Sequence, residues 1–133
     1  MILADTSVLI DFLRGINNRS THTLDTLLAM NVPVGINVYI YQEVLQGAKT
    51  EKDYLLLKRY LDSQQFYTFK KGRDSYAEAA QIYFKCRKKG ITITSTIDCL
   101  IAQNAIENRL LLLHNDKDYE KIATVTPLKF FTL

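Results

Sequence analysis

At 133 residues, 47% of them apolar, the chain can bury an ordinary core as one domain spanning 1–133, with no need of disulfide staples. A net charge of +3 permits a nucleic-acid partner without demanding one, and nowhere does the run of about 18 apolar residues that a membrane span needs occur. Cys86 and Cys99 fall in helical patterns and read as reduced thiols, and Met1 leads into an apolar run with no signal-peptide pattern. The expected location is therefore cytoplasmic, away from any membrane.

In chain order, residues 2–4 are an apolar run too short for a helix and suited to a buried parallel strand. Thr6 and Ser7 are helix-start residues, and Leu9, Phe12 and Leu13 then recur at helical spacing. Asp5 thus falls where a buried strand gives way to a helix, at the carboxyl edge where open α/β sheets collect ligands. It either caps that turn or holds something positive. Residues 18–20 read as a turn, and 23–30 as a helix with Leu24, Leu27 and Leu28 on one face and Asn31 at its end. The β-branched stretch 32–38, with Pro33 at its start, predicts a second strand. Ile40, Tyr41, Val44 and Leu45 then form a helical stripe closed by Gly47.

After a charged stretch at 49–53, residues 54–61 predict a helix with Leu57, Tyr60 and Leu61 inward, and 66–69 a short strand. In 75–89, Tyr76, Ala79, Ala80, Tyr83 and Phe84 mark a helix face expected in the core or in a dimer interface. Thr96 opens another helix, with Ile97, Ile101, Ala105 and Ile106 inward and Asn108 near its end. Residues 110–113 predict a strand, 114–118 a polar turn into a short helix, and 128–131 a last strand. Strands alternating with helices predict a three-layer α/β/α sandwich around a mainly parallel sheet.

Other acids lie in places comparable to that of Asp5. Glu43 sits beside the stripe of Ile40 and Val44 rather than opposite it. Asp98 is in the first turn of its helix, where the dipole alone would favour a carboxylate by about 0.3–1 kcal/mol. It shares a face with Ile101, Ala102 and Ala105, which draws it towards the interior. Asp116 and Asp118 follow the 110–113 strand; one can cap the next helix, and the other then needs a reason. Two like charges about 4 Å apart repel by about 4 kcal/mol at an effective dielectric near 20. Acids converging on one sheet edge therefore call for a divalent cation such as magnesium or manganese, hard ions that take carboxylate oxygens and serve phosphodiester cleavage. Competing chemistries lack their parts: there is no Cys/His zinc set, no G-x-x-x-x-G-K-[ST] or G-x-G-x-x-G loop and no G-x-S-x-G elbow.

Asp5-Thr6-Ser7, Glu43 before Val-Leu-Gln-Gly47, Asp98-Cys-Leu-Ile-Ala102 and Leu113-His-Asn-Asp116-Lys-Asp118-Tyr119 resemble the ordered motifs of PIN-domain nucleases. The size of the chain and the N-terminal first motif resemble a VapC-type toxin of a toxin–antitoxin pair, over residues 2 to about 131. The resemblance implies a magnesium-dependent endoribonuclease, manganese substituting, that hydrolyses a structured cellular RNA, a tRNA being one candidate. It implies a homodimer held in check by a cognate antitoxin, whose tail is expected along the acidic groove with an Arg standing in for the metal's charge. By motif position, Asp5, Glu43, Asp98 and Asp116 are the implied catalytic and metal-binding acids. Ser7 and Thr6 are implied to orient a ligand or water, with Asp118 assisting. Two departures touch the surroundings of the acids and the substrate rather than the acids themselves. His114 stands where Thr or Ser is common, and Tyr39-Ile40-Tyr41 where a small hydroxyl residue is frequent. Rival readings are a PIN-like nuclease of RNA maturation or DNA flaps without an antitoxin, and a catalytically silent RNA-binding or interaction module.

Overall fold

The computed structural model describes residues 1–133. It runs β1 (Ile2–Ala4), α1 (Thr6–Leu13), α2 (Arg19–Ala29), β2 (Val34–Ile36), α3 (Val38–Gln46), α4 (Glu51–Asp62), β3 (Gln65–Phe66), α5 (Arg73–Lys88), α6 (Thr96–Glu107), β4 (Leu111–Leu113), α7 (Lys117–Ala123) and β5 (Lys129–Phe130). The strands form one sheet of order β3-β2-β1-β4-β5, every pairing parallel. β1 is paired on both edges: Ile2 and Leu3 stand opposite Val34 and Gly35, and Ile2, Leu3 and Ala4 opposite Leu111, Leu112 and Leu113. A strand bonded on both edges and covered on both faces has to be apolar throughout, which is why Ile-Leu-Ala and Leu-Leu-Leu sit here.

From β1 the chain steps outward through β2 to β3, then returns across the sheet to β4 and continues to β5. Right-handed crossovers then set α1 to α4 on one face and α5 to α7 on the other, completing three layers. The direction reverses between β1 and β4. Their carboxyl ends form the switch point, and the residues that leave them are Asp5 and, three places beyond β4, Asp116.

Caps moved several expected boundaries. Asn18 accepts the Thr21 amide while Thr21 Oγ1 accepts the Asn18 amide, a reciprocal box that starts α2 at Arg19 instead of leaving 18–20 as a turn. Asn37 accepts the amides of Tyr39 and Ile40, so α3 begins at Val38 and the β-branched stretch yields only a three-residue strand. Thr50 caps α4 at Glu51, drawing the charged stretch into its first turn. The strand expected over 66–69 is reduced to Gln65–Phe66.

The face of α5 is also different. Ser75, Ala79, Ile82 and Cys86 are buried, whereas Tyr76, Tyr83 and Phe84 are 51%, 37% and 65% exposed. Packing along α6 selects small residues that let the two helices approach, and the bulky aromatics turn outward. Close approach also explains Gly35: a Cβ there would enter the Tyr67 ring and lie 2.9 Å from the Gln65 carbonyl oxygen. No helix is long and apolar enough to cross a membrane.

Candidate active site

The turn after β1 fixes the first acid. Asp5 is the N-cap of α1: its Oδ2 accepts the Ser7 amide at 3.1 Å and the Ser7 hydroxyl at 2.6 Å. The Ser7 oxygen in turn accepts the amide of Asn115 at 3.0 Å, so one hydroxyl ties the turn after β1 to the turn after β4. Asp5 is 3% exposed, and its Oδ1 accepts the Tyr119 hydroxyl at 2.6 Å. The sequence left capping and cation-holding open as rivals for Asp5. In the fold the cap uses Oδ2, while Oδ1 looks into the acid pocket.

Thr6 follows, and its hydroxyl donates to Glu43 Oε1 at 2.7 Å, holding the half-buried Glu43 of α3 against the start of α1. On the other side of the sheet, Asp98 lies in the first turn of α6 and is buried. Asp116 is the N-cap of α7, its Oδ1 accepting the Asp118 amide at 2.9 Å. The Asp116 amide donates to His114 Nδ1 at 3.1 Å. His114 thereby supplies an acceptor in place of the small hydroxyl common at that position. Carboxylate oxygens of Asp98, Asp116 and Asp118 all lie within 4.8 Å of one another.

The electrostatics agree that these acids share one space. Burial first, then the charges of Asp116, Asp5, Asp118 and Glu43, push the Asp98 carboxyl up to about 7. Burial also works against the Asp118 charge, but donation from Thr94 and the Lys121 ammonium at 3.3 Å outweigh it and hold its pKa below the usual range. Lys121 is the only cation paired with any of the five acids. Burial, against the pull of Asp5, Glu120 and Asp116, keeps the His114 pKa low and its imidazole neutral.

Asp5, Glu43, Asp98 and Asp116 thus come to one edge of the sheet from four separate stretches of chain, with Thr6 and Ser7 bracing two of them. Asp118, given only an assisting place from sequence, stands in the tightest group. Sequence reasoning missed Thr94, which donates to Asp118 Oδ2 from its hydroxyl at 3.0 Å, and Tyr119. Thr94 precedes its helix in Ile91-Thr92-Ile93-Thr94, an alternation that suggests a strand and gives no hint of a contact with an acid. Tyr119 could have been noticed as an aromatic with a hydroxyl directly after the last acid.

Acids gathered at the switch point of a parallel sheet, with one lysine paired among them, define a class: an α/β protein with an acidic cluster at the carboxyl edge of its sheet. The chain matches the PIN domain over residues 2–125, and it belongs to the PIN-domain family. Curated relatives include VapC ribonuclease Mb1587 of Mycobacterium bovis and ribonuclease VapC11 of Mycobacterium tuberculosis. Each is 30% identical over 130 residues, covering 97% of this chain and 96% of the relative. Among solved structures, VapBC2 from Rickettsia felis bound to a promoter DNA fragment superposes with a TM-score of 0.75 at 20% identity, covering 98% of both chains. VapBC-1 from nontypeable Haemophilus influenzae gives 0.73 at 18% identity, covering 98% of this chain and 97% of that one. The fold is therefore that of the VapC chains in such complexes.

Proposed function

We propose that this chain is a divalent-metal-dependent endoribonuclease, the VapC-type toxin of a toxin–antitoxin pair, acting on a structured cellular RNA in the cytoplasm. The observation that carries the reading is the convergence of Asp98, Asp116 and Asp118 within 4.8 Å, with Asp5 and Glu43 acting on the same carboxyl. The full-length match to VapC ribonucleases supports the substrate class.

The donor set fits a hard ion of the magnesium or manganese type: every candidate ligand atom is a carboxylate oxygen, and Asp98 is driven towards its neutral form when no ion compensates its neighbours. Asp5, Glu43, Asp98 and Asp116 would hold it, with Asp118 beside them. Such an ion supplies Lewis acidity at a scissile phosphate and an acidified water for in-line attack. The chain's own part is orientation. Ser7 and Tyr119 fix both oxygens of Asp5, Thr6 fixes one oxygen of Glu43, and the Asp116 cap sets α7.

Partners have support of their own. The outward stripe Tyr76, Ala80, Tyr83 and Phe84 suits a second copy. An open groove of about 500 Å³ between α1, α3 and α4, lined by Ile10, Leu13, Val44, Leu56 and Leu57 with Arg14 and Lys49 at its rim, suits an apolar antitoxin segment.

The test is cleavage of total cellular RNA by wild type and Asp98→Asn prepared in parallel, with magnesium and with EDTA. Wild type with magnesium should release fragments with 5′-phosphates at a few sites, while the variant and the EDTA sample release none. Equal cleavage by both proteins would refute the site. No cleavage by wild type would favour a silent module, and no adjacent antitoxin gene would favour a processing nuclease.

A further inference from the structure

We propose that Tyr119 is a positioning residue of the acid pocket: its hydroxyl donates to Asp5 and holds that carboxylate in place to meet a divalent cation. This rests on the cation reading of the pocket given above.

Tyr119 is fully buried in the first turn of α7, its ring beside that of His114 with centroids 5.2 Å apart. The hydroxyl lies 2.6 Å from Asp5 Oδ1 and 3.4 Å from Asp98 Oδ1. Each of the other acids has a donor of its own: Ser7 for Asp5 Oδ2, Thr6 for Glu43, Thr94 for Asp118 and the Asp118 amide for Asp116. Asp98 has no hydrogen-bonding neighbour but Tyr119, and Asp5 Oδ1 has no other donor. The one hydroxyl proton goes to the nearer oxygen, Asp5 Oδ1, so a side chain of α7 holds the acid that leaves β1.

Packing alone does not call for that oxygen. Phe would fill the same space and stack on His114 equally well, but would leave a buried carboxylate oxygen without its donor, which is costly. A tyrosine hydroxyl carries its proton at neutral pH, so it serves as the donor to Asp5 Oδ1. Groups that orient metal ligands in this way typically change metal affinity by about 10- to 100-fold when removed.

Calorimetric titration of metal-free Tyr119→Phe with Mn2+, without RNA, should give an affinity about tenfold weaker than wild type. KM for RNA should stay the same, while the manganese concentration for half-maximal cleavage rises by the same factor. In an Asp5→Asn background the added Tyr119→Phe change should cost much less, because the hydroxyl acts through that carboxylate. Equal Mn2+ affinity of wild type and Tyr119→Phe, or full additivity with Asp5→Asn, overturns the proposal. Should Tyr119→Phe not fold, wild type alone decides: the Tyr119 ring resonances should shift during a Mg2+ titration, with the midpoint of metal binding. Ring resonances indifferent to Mg2+ overturn the proposal. A wild type that binds no Mn2+ brings down the cation reading together with it, whereas normal binding by both proteins refutes the role of Tyr119 alone.

Discussion

Asp98 concentrates the conflict in the pocket. It is buried, lacks a close donor and feels four neighbouring acids, so its carboxyl titrates near 7 in the fold against about 3.9 in an unfolded chain. Between those values the native state binds more protons than the unfolded state, so the contribution of Asp98 to stability is intact below about pH 4 and is lost as pH rises through 7. Thermal melts of metal-free protein should therefore show a falling contribution from this site between pH 4 and 7, and the difference between wild type and Asp98→Asn isolates it. At pH 7.5 Asp98→Asn should melt at or above the wild-type temperature while cleavage drops by at least about a hundredfold, the scale of losing one positioned electrostatic group. Manganese affinity should rise from pH 6 to 8, since binding displaces the Asp98 proton. A calorimetric titration at both pH values reads it. The aspartates were legible from sequence because each follows an apolar run or opens a helix, and Glu43 because it sits beside an apolar stripe. Their donors were not, since Thr94 and Tyr119 gain their meaning only from the neighbours the fold brings them.

At the scale of elements, the apolar and β-branched runs located four strands and the 66–69 expectation met β3 only at Phe66, while capping residues decided where helices start. Asn18 and Asn37 are the instructive pair, because each side chain captures backbone amides and converts expected turn or strand into helix. The core alternative for the α5 face fails for a different reason. Periodicity says which residues share a face, but a close helix neighbour prefers Ser75, Ala79 and Cys86 to the aromatics beside them. Gly35 makes the same point for strands, as no pattern announces that the Tyr67 ring will lie against it. Gly35→Ala should destabilise the fold by about 1–3 kcal/mol through overpacking at the β2–β3 edge. Urea unfolding should show it as a lower midpoint with an unchanged slope.

For the whole molecule, the sheet order sets the chemistry. Reversal between β1 and β4 leaves a crevice whose walls are Asp5 on one side and Asp116 on the other, and α3 and α6 bring Glu43 and Asp98 to its mouth. Residues far apart in sequence, each with an ordinary local excuse, acquire a common reason only when the topology joins them. The outward aromatics of α5 belong to this scale too: Phe84→Asp should shift sedimentation from dimer to monomer with little change in melting of the protomer. A binding ion should also raise stability, by about 2.7 kcal/mol at a hundredfold excess over Kd.

Anomalous diffraction from a crystal soaked in MnCl2 tests the account most directly. Wild type should give a manganese peak bounded by the carboxylates of Asp98 and Asp116, and Asp98→Asn should lose it under the same soak. Manganese found only on the surface, with those carboxylates left facing one another, would contradict the claim that this pocket is built around a divalent ion.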